Sequence, residues 1–166
     1  MKYKLITLPR GIRRIPYLQA DKASVTLATD TAVLDRTITI TTYYHDTVNG
    51  NVGTLNPDVN PFNQSEGYSV LLMDNTYVKM EPDASTTDLL SATVLYPGQA
   101  ASSVTATLRA KTGANNSIKI VLSVTDTALN LTTTANKTTK LIITGVETGG
   151  RVVIPITING PQTDDE

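Results

Sequence analysis

Apolar and polar residues alternate along most of the chain with a period of two. The clearest stretch is 36–44, where Ile38 and Ile40 alternate with Thr37, Thr39 and Thr41. A period of two sends successive side chains to opposite faces of a pleated strand, so this stretch predicts a strand with one apolar and one wetted face. The same phase recurs at 24–29 (Val25, Leu27), 102–110 (Val104, Ala106, Leu108) and 117–125 (Ile118, Ile120, Leu122, Val124). It closes the chain at 151–159, where Val152, Ile154, Ile156 and Ile158 share a face. Shorter strands are expected at 68–73, 76–80, 89–96 and 140–144, and another beginning at Leu129 and Leu131.

The punctuation between these runs is that of turns. Asp74-Asn75 reads as a tight hairpin, and Pro97-Gly98, residues 112–116 and Gly149-Gly150 as further reversals. Residues 81–88 read as a polar or briefly helical turn. Pro155 cannot donate to a ladder, which argues for an edge or a bulge at that point of the last strand. About nine or ten strands, turns every eight to twelve residues or so and no convincing helix predict an all-β, antiparallel sandwich or barrel. One sandwich over 23–160 is preferred to two small units divided at Pro97-Gly98, because neither half alone offers a complete core.

Composition sharpens this picture. Thr occurs 28 times in 166 residues, and Thr, Val and Ile are all branched at Cβ, which favours strands. Outward-facing Thr covers a sheet with hydroxyls that neither charge nor aggregate it. Cys is absent, which excludes a disulfide scaffold and a thiolate metal site. No apolar run approaches the roughly 20 residues needed to span a membrane as a helix.

Charge divides the chain. Residues 1–22 carry Lys2, Lys4, Arg10, Arg13, Arg14 and Lys22 against Asp21, while the remainder holds eight basic and fourteen acidic side chains. Pro9 and Pro16 break any helix there and interrupt a secretory apolar region. The expectation is an extended basic arm over 1–22, a sandwich over 23–160 and an acidic solvated tail over 161–166. Arg10, Ile12, Arg13, Arg14, Ile15, Tyr17 and Leu18 are the expected partner-binding residues, the arginines through charge-assisted bonds and the apolar residues by burial. A protein partner is favoured, because the acidic body would repel nucleic acid and no aromatic–basic interleaving continues beyond the arm. The loop 45–67, with Asn49-Gly50, Pro57 and Pro61, is long enough to be a second contact.

No site of chemistry stands out. The only histidine, His45, precedes Asp46, an adjacency that would suit a general base, but the bland reading as a strand-end residue outweighs it. Asp74, Glu81, Asp83, Asp88 and Asp126 are scattered, and a glycosidase pair or a Ca²⁺ site among them is outweighed by surface turn acids. The Asn-x-Ser/Thr sequences at Asn63, Asn115, Asn130 and Asn136 follow from the abundance of Thr. No catalytic, cofactor-binding or metal-binding residue is assigned, and no cofactor is expected. Sugar binding without Trp would need tyrosines such as Tyr43, Tyr44, Tyr68 or Tyr77 as platforms.

The extended leader, the Thr-rich strands and the absence of Cys together resemble a small structural protein of a tailed bacteriophage. Capsid decoration, auxiliary capsid and tail components belong to that class. The closing segment 149–158, GGRVVIPITI, is similar to the terminal strand of bacterial immunoglobulin-like modules. The resemblance implies an immunoglobulin-like or jelly-roll-like sandwich and a non-enzymatic, multi-copy virion component. It would be made in a host cytoplasm and anchored by its arm to capsid or tail subunits, with no membrane partner. A cell-surface polysaccharide-binding or adhesion module is the alternative.

Overall fold

The structure, a computed structural model, describes residues 14–46, 52–54, 67–92, 102–114, 117–131, 136–146 and 149–160, with the backbone alone at 14–16, 43–46 and 52–54. Eleven strands are present among them: β1 (Arg14–Ala20), β2 (Val25–Leu27), β3 (Thr37–Asp46), β4 (Val52–Thr54), β5 (Gly67–Leu72), β6 (Val78–Pro82), β7 (Thr87–Ala92), β8 (Val104–Ala110), β9 (Ser117–Val124), β10 (Lys137–Gly145) and β11 (Arg151–Ile158). They form two sheets. One runs β1-β3-β9-β6, with β4 also paired to β3, and the other runs β2-β11-β10-β5-β8-β7. All pairings are antiparallel except β2 with β11. The protein is therefore an all-β sandwich, as the alternation predicts.

The core is the inward face of that alternation. Ile38, Ile40, Ile118, Ile120 and Leu122 of one sheet meet Val70, Leu72, Leu141, Ile143, Ile154 and Ile156 of the other, all buried. Burying apolar surface between the sheets is the main source of stability in a chain without disulfides. Threonine appears in a second role here. Thr42 follows Ile38 and Ile40 in phase and so points inward, where its Oγ1 lies 2.5 Å from the buried Tyr68 hydroxyl on the opposite sheet. Thr87, also buried, accepts a bond from the Lys119 amide at 2.8 Å and donates to the Lys119 carbonyl at 3.2 Å, tying β7 to β9 across the sandwich.

Several local expectations change. Asp74-Asn75 does not close a hairpin, because β5 is already paired on both sides, to β10 and to β8. The chain instead crosses to the other sheet, where β6 pairs β9. Leu129 and Leu131 do not begin a strand. Residues Ala128–Asn130 form a 3₁₀ turn that buries Ala128 and leaves Leu129 half exposed. The strand expected at 140–144 runs over the whole of β10, and the one expected at 89–96 starts earlier, as β7.

Pro155 sits inside the sheet without cost. Its partner on β10 is Lys140, whose carbonyl accepts instead from Met73 on the β5 side. The proline nitrogen therefore faces away from β10, and the β2 ladder begins only at Ile156.

Candidate interaction surfaces

Of the seven residues expected to bind a partner, Arg10, Ile12 and Arg13 lie outside the described residues. Arg14 and Ile15 lie in β1, in register with Asp46 and His45 of β3. Tyr17 is half buried, and Leu18 is 8% exposed and belongs to the core. Residues 14–20 are thus a strand of the sandwich, and Leu18 holds β1 against the body.

The close fit at this edge has a specific cause. A Cβ placed on Gly150 would come within 3.0 Å of Leu18 Cγ and 3.1 Å of its amide nitrogen. The absence of a side chain at 150 lets β1 lie directly over the start of β11. The following residues continue the clamp. The Asp21 carboxylate accepts from the Thr39 amide at 2.8 Å, and Lys22 Nζ donates to the Thr37 carbonyl at 2.6 Å.

The opposite flank is open. Between β6 and the neighbouring β7 and β8 runs a groove made of two adjoining cavities, about 380 Å³ and about 80 Å³, which share Met80, Glu81 and Val104 in their walls. Its smaller end is apolar, with Pro82, Leu89 and Ala106 among the lining residues. Sheet β1-β3-β9-β6 stops at β6, so among the described residues β7 faces β6 and β9 across this groove and is tied to the opposite sheet only at its start, through Thr87. Every residue of β7 after Thr87 is exposed, including Leu89 at 51% and Leu90 at 50%. A bulge separates Leu89 from Ser91 in the ladder with β8.

The scattered carboxylates serve the backbone. Asp74, between β5 and β6, accepts from the Thr76 amide at 2.8 Å. Hydrogen bonds from Thr76, side chain and then backbone, with a further one from Ser102, hold its carboxyl below the ordinary aspartate range. Asp83, between β6 and β7, accepts from the Ser85 hydroxyl at 2.7 Å and its amide at 2.9 Å, and those bonds lower it likewise. Both are turn caps of the kind Asp makes with the backbone two residues on. Asp88 pairs with Lys111 at 3.7 Å. Among the described residues no three of His, Cys, Asp and Glu stand together as a metal-binding group.

His45 lies in β3 between Ile15 of β1 and Val52 of β4, so the loop expected over 45–67 begins later and folds part of itself back as β4. The remainder of that loop lies outside the described residues. Of the tyrosines considered as sugar platforms, Tyr68 is fully buried, and Tyr77 packs on the core with Lys137 Nζ 5.7 Å from its ring centre. The inward threonines and the open flank were the features not singled out in the sequence. Thr42 does carry a signal, since it occupies the phase of Ile38 and Ile40; the open flank has none, because it depends on which strands end each sheet.

No family model matches the chain, and no curated protein matches it. Among solved structures it is similar to AggA, the major subunit of aggregative adherence fimbriae type I from Escherichia coli. That match has 8% identity and a TM-score of 0.34, covering 90% of this chain and 96% of that one. It is also similar to the CooA pilin subunit from enterotoxigenic Escherichia coli, at 12% identity and a TM-score of 0.31, covering 89% and 99%. Overlaps of this size carry no functional conclusion, which rests here on the chain's own surfaces.

Proposed function

We propose that this chain is a non-enzymatic structural subunit of a multi-copy assembly, specifically a capsid-associated component of a virus particle held in place through its basic N-terminal segment. The observation that carries the reading is the unequal finish of the sandwich. One flank is closed by β1, whereas the other leaves an apolar groove and an edge strand, paired on one side only among the described residues, with two half-exposed leucines. An apolar strand edge left open suits a protein neighbour.

The N-terminal segment supports attachment to an acidic protein surface. With β1 taken into the sandwich, the part left for docking is 1–13, which keeps Lys2, Lys4, Arg10 and Arg13 and holds no acid. The Thr-rich outer faces suit life on the outside of a particle.

The test is the solution mass of the full chain by light scattering, against a full-length variant carrying Lys2→Glu, Lys4→Glu, Arg10→Glu and Arg13→Glu. The expected result is association beyond one copy at low salt that weakens in the variant and at high salt, where exposed charges are screened. A full chain that stays at 17.8 kDa at every concentration and salt overturns the multi-copy reading. Association indifferent to the four substitutions overturns the role of the basic segment.

A further inference from the structure

We propose that β7 is a docking edge for a second copy of this chain, the two β7 strands pairing antiparallel about a two-fold axis. This deepens the multi-copy reading above and rests on it.

The case begins with how each outer strand is finished. An exposed edge offers unpaired N–H and C=O groups to any passing strand, and soluble proteins blunt it with short strands, prolines or lysines. β2 and β4 are three residues long. β1 contains Pro16. β6 carries Lys79 and Glu81, both exposed, and ends at Pro82. β7 is the least guarded of them. It is six residues long, Thr-Asp-Leu-Leu-Ser-Ala, with no proline and no lysine, and among the described residues no strand pairs with its outer edge; its only guards are Asp88 and a bulge, and the bulge falls where both leucines are half exposed.

The charge around β7 selects the occupant. Asp88 stands opposite the exposed Arg109 in the β7–β8 ladder and is paired with Lys111 at 3.7 Å. Both signs therefore lie in one small patch, which offers no single-signed surface to a strongly acidic or basic partner. A patch of mixed sign with an apolar centre suits an isologous interface, in which each copy must complement itself. An antiparallel two-fold centred between Leu89 and Leu90 sets Leu89 of each copy against Leu90 of the other. Asp88 then falls opposite Ser91 of the second copy, so no like charges face each other directly. The exposed leucines lose water on both sides of the new ladder. Six residues a side form a small interface, in the class below about 1,200 Å² that separates on dilution.

Sedimentation equilibrium of the full chain over a wide concentration range tests this. The weight-average mass is expected to rise from 17.8 kDa towards twice that value. Leu90→Lys, which puts the usual edge guard on β7, is expected to weaken the dimer by about tenfold or more, with an unchanged thermal melt because Leu90 is half exposed. Leu129→Lys, at an equally exposed leucine in the 3₁₀ turn, is expected to leave the dimer intact. A wild-type chain that remains monomeric, or a dimer that survives Leu90→Lys, overturns the proposal. The second of these outcomes leaves the multi-copy reading standing. Loss of association in the arm-charge variant, with Leu90→Lys silent, moves the contact to the N-terminal segment and likewise overturns the role of β7.

Discussion

The two flanks of this sandwich are finished in opposite ways. At one, β1 lies over β11 with Leu18 buried against Gly150, and Asp21 and Lys22 bond onward to β3. At the other, β6 ends its sheet early, and Leu89 and Leu90 of β7 stand half exposed beside an apolar groove. Both flanks are built from the same two-residue alternation. The difference lies in what faces the apolar side of the last strand. Leu18 packs closely on the opposite sheet, whereas Leu89 faces Met80, Pro82 and Ile120 across an unfilled groove and stays half exposed. The closed flank is where substitution costs stability. On the proposed docking role of β7, the open flank is where substitution would change association and leave the fold alone.

The sharpest break of that contrast is Leu18→Ala. It removes buried methyl groups and leaves a cavity that β1 only partly relaxes into, at a cost of about 2–5 kcal/mol. Denaturant unfolding should show it as a lower midpoint with an unchanged slope. A loss below about 0.5 kcal/mol would mean that β1 is not part of the cooperative core. Truncating the chain through residue 22 would delete β1 itself, so a shortened chain tests docking cleanly only if it keeps residues from Arg14 onward.

Tyr68→Phe comes next. It deletes the hydroxyl that meets Thr42 between the sheets and leaves a buried Thr oxygen short of that partner, costing about 1–3 kcal/mol. Replacing Thr42 by Val together with Tyr68→Phe should recover part of the loss, because neither hydroxyl is then left facing the other's missing partner. A double variant no better than Tyr68→Phe alone would show that the pair is not the source of the effect. Gly150→Ala is smaller, about 1–2 kcal/mol, since the new methyl group meets the Leu18 backbone at 3.1 Å and β1 must shift to admit it. Its effect should vanish in the Leu18→Ala background if the Leu18 side chain is the obstacle, and persist if the backbone is.

Much of this architecture was legible in advance, and the particular misses are instructive. Ile38, Ile40, Ile118, Ile120 and Leu122 announce their faces because the alternation is local and uninterrupted. Asp74-Asn75 misled because turn chemistry reports that the chain reverses, not whether the next strand has a free edge to pair with. β5 had none. Leu129 and Leu131 misled because two apolar residues two apart fit a strand and a short turn equally well. Charge sets residues 1–22 apart from the body as an extended arm, yet charge says nothing about the backbone ladder that draws residues 14–20 into the sheet. The open flank was invisible for a related reason. Whether Leu89 is covered depends on the order of strands in the opposite sheet, which is a non-local property.

Acid should probe the open flank selectively, with the smallest effect of the four. Asp74 and Asp83 cap the turns at the two ends of β6, the outer strand of that flank, and hydrogen bonds from Thr76 and from Ser85 hold both below the ordinary aspartate value of 3.8. A carboxyl whose folded pKa is depressed binds its proton more readily in the unfolded chain. Its contribution is therefore fully present above the unfolded value and is lost as the pH falls through the folded one. Both groups are only partly buried, so the effect is modest and screened by salt. Amide hydrogen exchange below pH 3.8 should show β6 losing protection before β1, after correction for the intrinsic rate. Asp83→Asn, which keeps an acceptor but removes the charge, should make the Asp83–Thr87 end of β6 less sensitive to pH. Equal loosening of β1 and β6 in acid would mean that the two flanks are one cooperative unit, and that the contrast between them is one of surface alone.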